Sequence, residues 1–337
     1  MIFNQLQEFR RRLYNTLGNG RDAIFDLMDA VLVSACIVSF VSLSQSPVFR
    51  RQWSSTYAAL QDSHLPRAKV LKLLVRQVDS HQPPLLVGDT SRWHRPAAKR
   101  LKDRTLAGGV DHAITVGHTY STLAWIPEAQ GSWALPLRHE RMTSFETPAS
   151  RAAFQLKQVT RQLTLRPLAI YDRGYGNASF VNQTAAIEAD LLLRLASNRC
   201  VYGTPPAYGG RGAPAKHGHK MKLNDPETWS LPTETIEVED AKLGQVRVTL
   251  WREYHFRKAP KRTMAVIRVE VLAPHNGKRR LQPMWLAWLG KTMPPLETLW
   301  LSYLRRFAVE HWYRFAKQRL FWTQPQFSSL PASERWS

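Results

Sequence analysis

Three carboxylates stand where they could bind divalent metal ions and support chemistry on a phosphodiester. Asp89 follows the apolar run 85–88, Asp172 follows the apolar run 167–171, and Glu310 lies in a predicted C-terminal helix. Mg²⁺ favours a few Asp or Glu oxygens completed by water and substrate phosphate. Two such ions can activate an attacking oxygen and stabilise a leaving oxygen. The three acids are therefore candidate catalytic and metal-binding residues for phosphoryl transfer.

Glu310 shares its predicted helix with a phenol and two cations. Tyr303, Arg306, Glu310 and Lys317 stand at offsets 0, 3, 7 and 14. At about 100° per residue these offsets fall within a stripe of about 60°, so one helix starting near Leu296 presents all four on one face. Taken alone, the stripe also fits an ordinary charged helix face. The two aspartates at predicted strand ends favour a catalytic role for the stripe over an ordinary charged helix face.

The elements around the two aspartates predict an α/β core. Strand character is expected at 85–88, 113–119, 122–126, 133–137, 167–171 and 191–195, with a crossover helix at about 149–165. Strands ending in Asp89 and Asp172 can lie side by side, and ligands gather at the carboxyl ends of such strands. A helix packed on this sheet can supply Glu310.

The flanking regions are basic. Residues 1–80 have apolar residues at helical spacing, and their Arg and Lys side chains either touch DNA or form a solvated face. The apolar run 30–43 is too short to span a membrane and predicts a buried helix. Residues 200–292 read as a β-rich insertion that begins with a Gly- and Pro-rich loop. Its cations either contact DNA or lie in solvent; they are Arg211, Lys216, Lys220 and Lys222.

Overall charge indicates the class of partner. The chain has 47 Lys+Arg against 26 Asp+Glu, a formal net charge of +21. For a folded protein this points to a large polyanion, with nucleic acid as the first candidate. Two cysteines without a CxxC motif and a start without signal-peptide character predict a protein of the reducing cytoplasm, with no membrane partner.

The four-residue stripe resembles the signature of a known family. The spacing Tyr303-x2-Arg306-x3-Glu310-x6-Lys317 matches one group of DDE transposases from bacterial insertion sequences at each fixed position. The segment around Asp89 (Val87-Gly88-Asp89-Thr90-Ser91) looks like the first aspartate motif of that family. The segment around Asp172 (Tyr171-Asp172-Arg173-Gly174-Tyr175) looks like the second. The resemblance covers roughly residues 24–320.

The resemblance implies a fold and a function. It implies a ribonuclease-H-like catalytic domain, a mixed sheet flanked by helices, with a mostly β insertion and a helical N-terminal region. Asp89, Asp172 and Glu310 would bind two Mg²⁺ ions, with Mn²⁺ as a substitute, while Tyr303, Arg306 and Lys317 would hold DNA phosphates. The implied activity is cleavage of transposon ends and strand transfer into target DNA. The implied partners are double-stranded DNA and a second copy in a homodimer, in the bacterial cytoplasm at the nucleoid.

The same considerations predict how the chain is divided. We expect a helical DNA-binding or assembly region at 1–80, the first part of the catalytic core at 81–199, the insertion at 200–292, the Glu-bearing helix at 293–322 and a short tail at 323–337. Family members usually continue with a helical tail used in subunit contacts, so this tail is interpreted as truncated.

Two alternatives stay open at this point. A structure-specific nuclease of the same fold would use an identical acid triad. A catalytically inactive or truncated transposase-derived protein would bind DNA without turnover. Cleavage in the presence of Mg²⁺ or Mn²⁺ separates a binding protein from an enzyme.

Overall fold

The computed structural model describes residues 2–37, 39–108, 114–273 and 282–337. The chain divides into two compact units. Unit 1 contains Met1–Asp79, Thr90–Thr147 and Ala308–Ser337. Unit 2 contains Ser80–Asp89 and Pro148–Phe307. The division of the chain into five parts remains a prediction.

Helices and strands alternate along the chain after a helical start. The helices are α1 (Ile2–Thr16), α2 (Arg21–Val33), α3 (Phe40–Ser44), α4 (Ser54–Asp62), α5 (Arg67–Val75), α6 (Pro148–Thr160), α7 (Ala178–Gln183), α8 (Leu296–Leu304), α9 (Phe307–Gln318) and α10 (Leu330–Trp336). The strands are β1 (Leu85–His94), β2 (Thr105–Gly108), β3 (Ile114–Trp125), β4 (Leu135–Arg141), β5 (Leu168–Tyr171), β6 (Asp190–Leu195), β7 (Cys200–Tyr202), β8 (Lys220–Lys222), β9 (Glu234–Asp240), β10 (Gly244–Tyr254), β11 (Met264–Ala273) and β12 (Met284–Leu289).

A long mixed sheet forms the core of unit 2. The first half of β1 pairs in parallel with β5, and β5 pairs in parallel with β6. The strands of the insertion continue this sheet in antiparallel fashion, in the order β6-β12-β11-β10-β9. All six residues of β12 are buried, as expected for a strand covered on both faces. Strands β9 to β12 therefore extend the parallel part of the sheet.

Unit 1 combines helices with the antiparallel part of the fold. Strand β3 pairs with both β2 and β4, and the amide of Arg95, just after β1, donates to the carbonyl of Val116 at 2.8 Å. The parallel and antiparallel strand pairs, together with the helices, confirm the predicted mixed α/β fold class. None of the described helices is both long and apolar enough to cross a membrane.

The apolar run 30–43 does not form the single buried helix that its composition predicts. Helix α2 ends at Val33, and helix α3 starts only at Phe40, capped by the side chain of Ser39. The hydroxyl of Ser34 bonds the carbonyl of Ala30 at 2.6 Å, which gives the last turn of α2 an alternative partner. Serines in the run therefore end one helix and begin the next.

The C-terminal tail is built into unit 1 and contains a short helix. Helix α10 covers Leu330–Trp336, and the guanidinium of Arg335 donates to the carbonyls of Leu60 and Gln61 at 3.0 and 2.6 Å. Arg95 donates to the carbonyls of Pro325 and Phe327 at 2.8 and 3.0 Å. These bonds satisfy carbonyls that would otherwise lack partners.

Candidate active site

Two aspartates lie side by side at the point where two parallel strands end their pairing. Gly88 of β1 pairs with Tyr171 of β5, so Asp89 and Asp172 occupy the next, equivalent positions. Neighbouring strands are about 4.8 Å apart, and residues in register point to the same face of a sheet. The two half-buried carboxylates are thus neighbours on one face.

The chain turns sharply after Asp172, and the turn holds its carboxylate. The amide of Gly174 donates to Oδ1 of Asp172 at 2.9 Å, and a side chain at Gly174 would put Cβ only 3.1 Å from that oxygen. A Cβ at Gly176 would lie 2.2 Å from the carbonyl oxygen of Arg194, so only glycine lets the turn approach β6. Asn177 then caps helix α7 by accepting from the amide of Phe180.

Gly88 permits the close packing of β1 on β5 beside the two acids. A Cβ at this position would lie 1.9 Å from Cε1 of Tyr171. The Tyr171 ring is fully buried between the rings of Tyr175 and Phe180, with centroids 4.9 and 4.7 Å away. Burial raises the pKa of the Tyr171 phenol. The Asp89–Asp172 spacing therefore depends on a ring that packs directly on backbone.

Asp89 does not end its strand, in contrast to the sequence prediction. Strand β1 continues to His94, with Ser91 and Trp93 buried and Arg92 exposed. What ends at Gly88 is the parallel pairing with β5. Asp172 does follow the last residue of its strand, as predicted. Both acids therefore lie beyond the last β1–β5 pair.

Arg306 contacts the first of these acids. Its Nη1 lies 3.2 Å from Oδ2 of Asp89, and both side chains are largely buried, 13% and 16% exposed. A charged group held this far from solvent is stabilised by such a partner. The Arg306 guanidinium shows that the Asp89 carboxylate can bind a positive group at this position.

Tyr303 lies among the charges of the same unit. Its side chain is buried, and burial raises the pKa of its phenol, while the cations Arg306 and Arg194 lower it and Asp172 raises it. The guanidinium carbons of Arg194 and Arg306 lie 5.8 and 5.9 Å from the Tyr303 ring centroid. A phenol with a raised pKa stays protonated at neutral pH and can donate a hydrogen bond.

Arg194 belongs to this group and was missed by sequence reasoning. Leu193 of β6 pairs with Tyr171, so Arg194 extends the row of Asp89 and Asp172 onto a third strand and points to the same face. The available signal was a single cation within the apolar run 191–195. A charge in an otherwise buried strand calls for a specific partner.

Glu310 and Lys317 lie in unit 1, on helix α9, and the prediction of a single helix from Leu296 onward is wrong. Helix α8 ends at Leu304 and α9 begins at Phe307, so Tyr303 precedes the break and Arg306 lies in it. Glu310 is exposed in the first turn of α9, and Lys317 follows two turns later on the same side. Burial lowers the pKa of Lys317, whose Nζ lies 6.0 Å from the Trp322 ring centroid.

The acids of unit 2 suit a hard cation. Asp89 and Asp172 offer neighbouring carboxylate oxygens, the donors that Mg²⁺ prefers, and Arg306 already places a positive group against Asp89. Within the described ranges, no three His, Cys, Asp or Glu side chains form a group that could hold a metal ion. The fit to a metal therefore stands on the two aspartates.

The basic loop of the insertion keeps most of its predicted cations in solvent. Arg211, Lys216 and Lys220 are exposed. Lys222 is half-buried, and its Nζ pairs with Asp225 at 3.1 Å. Lys222 is thus partly committed within the fold, whereas the other three side chains are accessible to a polyanion.

Comparisons with known proteins bear on the chain as a whole. A family model described as DDE superfamily endonuclease matches residues 12–258, which include Asp89 and Asp172 and end before Glu310. No curated protein sequence matches. Among solved structures, the chain is similar to a piggyBac transposase in a cryo-EM synaptic complex with hairpin DNA, with a TM-score of 0.44 and 9% identity. The match covers 93% of this chain and 62% of the piggyBac chain, so this chain spans less than two thirds of that protein.

Proposed function

The chain belongs to the DDE superfamily of endonucleases, and on that premise we propose that it is a DNA transposase of the bacterial insertion-sequence type. It cleaves the ends of a transposon and transfers them into target DNA. The observation that supports this function best is the equal register of Asp89 and Asp172 on paired parallel strands.

In this proposal Asp89, Asp172 and Glu310 form the catalytic triad. They hold two Mg²⁺ ions, for which Mn²⁺ can substitute. When bound, the ions supply activation of the attacking oxygen and stabilisation of the leaving oxygen. Glu310, exposed on α9, provides the third carboxylate.

The residues around the acids hold the scissile phosphate. Arg306 and Arg194 donate N–H groups to its oxygens, and the neutral phenol of Tyr303 donates its O–H. Lys317 adds a cation to a neighbouring phosphate. Positive donors fixed before the reaction stabilise the charge that develops on the transferred phosphoryl group.

The reaction consists of two displacements at phosphorus. A water oxygen bonds to the phosphorus at the transposon end, the bond to the 3′ oxygen breaks, and the 3′-hydroxyl is released. That hydroxyl oxygen then bonds to a target phosphorus as the target's own bond to its 3′ oxygen breaks. The proton of each attacking oxygen passes to solvent, and each leaving 3′ oxygen takes up a proton from solvent. No covalent enzyme intermediate is required.

The partners follow from the chemistry and the charge. Double-stranded DNA supplies both the ends and the target, and the net charge of +21 favours it. Two ends must be joined in one event, so the working form is a homodimer. The protein acts at the nucleoid in the bacterial cytoplasm.

The function is tested with Glu310 and a matched acid on the neighbouring helix. We expect Glu310→Gln to abolish Mg²⁺-dependent cleavage and strand transfer on DNA carrying the element's own ends. Glu297→Gln removes the same charge from an exposed position in the first turn of α8 and should leave both reactions intact.

Each outcome has a distinct meaning. Cleavage that never leads to joined products would replace the transposase with a nuclease. Absence of cleavage in the parent protein with both Mg²⁺ and Mn²⁺ would reject the enzymatic function. Equal activity in Glu310→Gln and the parent would reject Glu310 as the third acid.

A further inference from the structure

The turn between β10 and β11 carries four cations and no acid. Its sequence from residue 255 to 263 includes Arg257, Lys258, Lys261 and Arg262. The first three side chains are exposed, and Arg262 is half-buried. In the described part of the chain, none of the four forms an ion pair. The turn thus keeps its positive charge available.

The turn is held in one conformation by buried anchors. Ala259 is 2% exposed, and the side-chain amide of Asn182 in α7 donates to the carbonyl of Lys258 at 2.9 Å. His255 and Tyr202 exchange two backbone hydrogen bonds of 2.8 and 2.9 Å. A fixed turn loses little conformational freedom when it binds a ligand. The backbone that carries the cations is therefore preorganised.

A cavity of about 300 Å³ opens beside the turn, and four of its eleven lining residues are cationic. Lys261 and Arg262 line it together with Arg166 and Lys291, and Glu188 is the acid among its lining residues. The Nε of Arg262 is buried without a hydrogen-bond partner, and its Nη1 makes only a 3.4 Å bond to the carbonyl of Ala185. A buried guanidinium donor without a partner is a position where an anion would gain a charge-assisted hydrogen bond.

The turn adjoins the basic loop of the insertion. Nδ1 of His217 lies 2.9 Å from Nε2 of His255, and their rings stack with centroids 5.2 Å apart. The loop that ends at His217 carries exposed Arg211 and Lys216. Loop and turn therefore meet at these two histidines. We call the cations of both segments the basic face: Arg211, Lys216, Arg257, Lys258, Lys261 and Arg262.

The basic face is separated from the aspartates within unit 2. The β11 end of the turn lies beside the end of β12, where Leu289 pairs with Leu191 near the start of β6. Arg194, in the row of the acids, lies three residues further along β6, about 10 Å at 3.3 Å per residue. The turn therefore lies toward the amino end of β6, whereas the acids lie toward the carboxyl ends of the parallel strands, so a duplex bound at the turn leaves the acids unoccupied.

We propose that the basic face binds the sugar–phosphate backbone of the target DNA duplex; the identification of the duplex as a target rests on the proposed transposase function. Exposed lysines and an arginine whose Nε lacks a hydrogen-bond partner can bind phosphates. Phosphate contacts carry no sequence information. Such contacts suit a DNA partner that is accepted whatever its sequence. Transposon ends, by contrast, must be distinguished from other DNA by base contacts.

The binding arm of the test compares two double variants. Lys258→Gln/Lys261→Gln removes two charges from the face, and Lys99→Gln/Lys242→Gln removes two from exposed positions elsewhere. Affinity for a fluorescent random-sequence duplex is measured by anisotropy in EDTA, over a range of about 50 to 200 mM salt. We expect the face variant alone to flatten the slope of log K against log salt, by about 0.9 for each lost phosphate contact.

The catalytic arm separates target from transposon end. With limiting target DNA, the face variant should retain cleavage of the element's end and lose strand transfer in proportion to its lost affinity. An unchanged salt slope would overturn the proposal, as would an equal fall in cleavage and transfer, which would assign the face to the transposon end. The anisotropy arm needs no catalysis, so failure of the transposase assignment would leave duplex binding by the face separately measurable.

Discussion

Replacing Gly88 by alanine should destabilise unit 2 and separate the two aspartates. The new Cβ would lie 1.9 Å from Cε1 of Tyr171. Carbon atoms in contact normally lie about 3.5–4.0 Å apart, so ring and backbone must move apart by about 1.6 Å or more. The ring is fully buried against Tyr175 and Phe180 and cannot swing into solvent. The backbone of β1 or β5 must therefore shift.

The expected cost is that of overpacking a core. Adding one methyl group to a well-packed site costs about 1–3 kcal/mol, and the backbone contact places Gly88→Ala at the upper end. For a unit of this size, each kcal/mol lowers the midpoint of thermal unfolding by about 2–4 °C. We therefore expect a fall of several degrees, together with loss of DNA cleavage, because the strand that moves bears Asp89 or Asp172.

The assay is thermal unfolding followed by circular dichroism, with Gly209→Ala as the matched control. A Cβ at Gly209 meets no atom within 4 Å, so this variant should be neutral or slightly stabilising. Gly88→Ala combined with Tyr171→Ala should lose less stability than the sum of the single variants, since the clash is removed. Equal midpoints for Gly88→Ala and Gly209→Ala, or strict additivity in the double variant, would refute this account of the β1–β5 contact.

Three further predictions concern single side chains. Tyr303→Phe should lower the cleavage rate about 10²-fold, the scale for losing one preorganised donor. The pH dependence of the rate between pH 6 and 9 should stay the same, because the raised pKa keeps the phenol protonated in that range. A change in that pH dependence in the variant would contradict this prediction. Arg194→Gln should cause a comparable loss that Arg194→Lys restores only in part, since lysine lacks the planar fork, and full activity in Arg194→Gln would remove Arg194 from the site. Burial lowers the pKa of His139 to about 3. Below about pH 6.5 the unfolded chain therefore binds a proton that the folded chain does not. The free energy of unfolding should fall by up to about 1.4 kcal/mol for each pH unit, down to about pH 3. Parallel pH–stability curves for the parent and His139→Gln would contradict the last prediction.

The sequence predicts the second aspartate better than the first. Asp172 follows a short apolar strand and precedes two glycines and an asparagine. These neighbouring turn residues indicate where the strand ends. Asp89 is followed by residues that look polar, but Ser91 and Trp93 are buried and Arg92 is exposed. This alternation is a strand pattern, which polar Ser91 obscured. The neighbouring positions of the two acids were predictable, whereas the length of β1 was not.

The break between α8 and α9 has no local signal. Arg305 and Arg306 are good helix formers, and no Gly or Pro lies between Leu296 and Lys317. The amides of the two arginines bond back three residues, to Ser302 and Tyr303, a tighter turn than that of the α-helix. Arg306 also contacts Asp89, far away in sequence. A tertiary contact of this kind can override helix propensity.

The position of Arg194 in the row of the two aspartates could not be predicted from the sequence. Its relation to Asp89 and Asp172 arises from strand register across β1, β5 and β6, which no local pattern specifies. The extension of the sheet by the insertion has the same origin. The strands of residues 200–292 were predictable from the alternation of apolar and polar residues. Their pairing partner was not, because no local pattern specifies that Trp285 of β12 pairs with Leu195 of β6.

Metal-dependent cleavage by Asp172→Asn tests the central claim most directly. The amide oxygen of asparagine can still accept from Gly174, so the fold is kept while the charge is lost. Asp62→Asn, at an exposed position on α4, controls for removal of one negative charge. With Mg²⁺ and DNA carrying the element's own ends, we predict cleavage by the parent and by Asp62→Asn and none by Asp172→Asn. Cleavage by Asp172→Asn at the parental rate would contradict the assignment of this row of residues as the catalytic site.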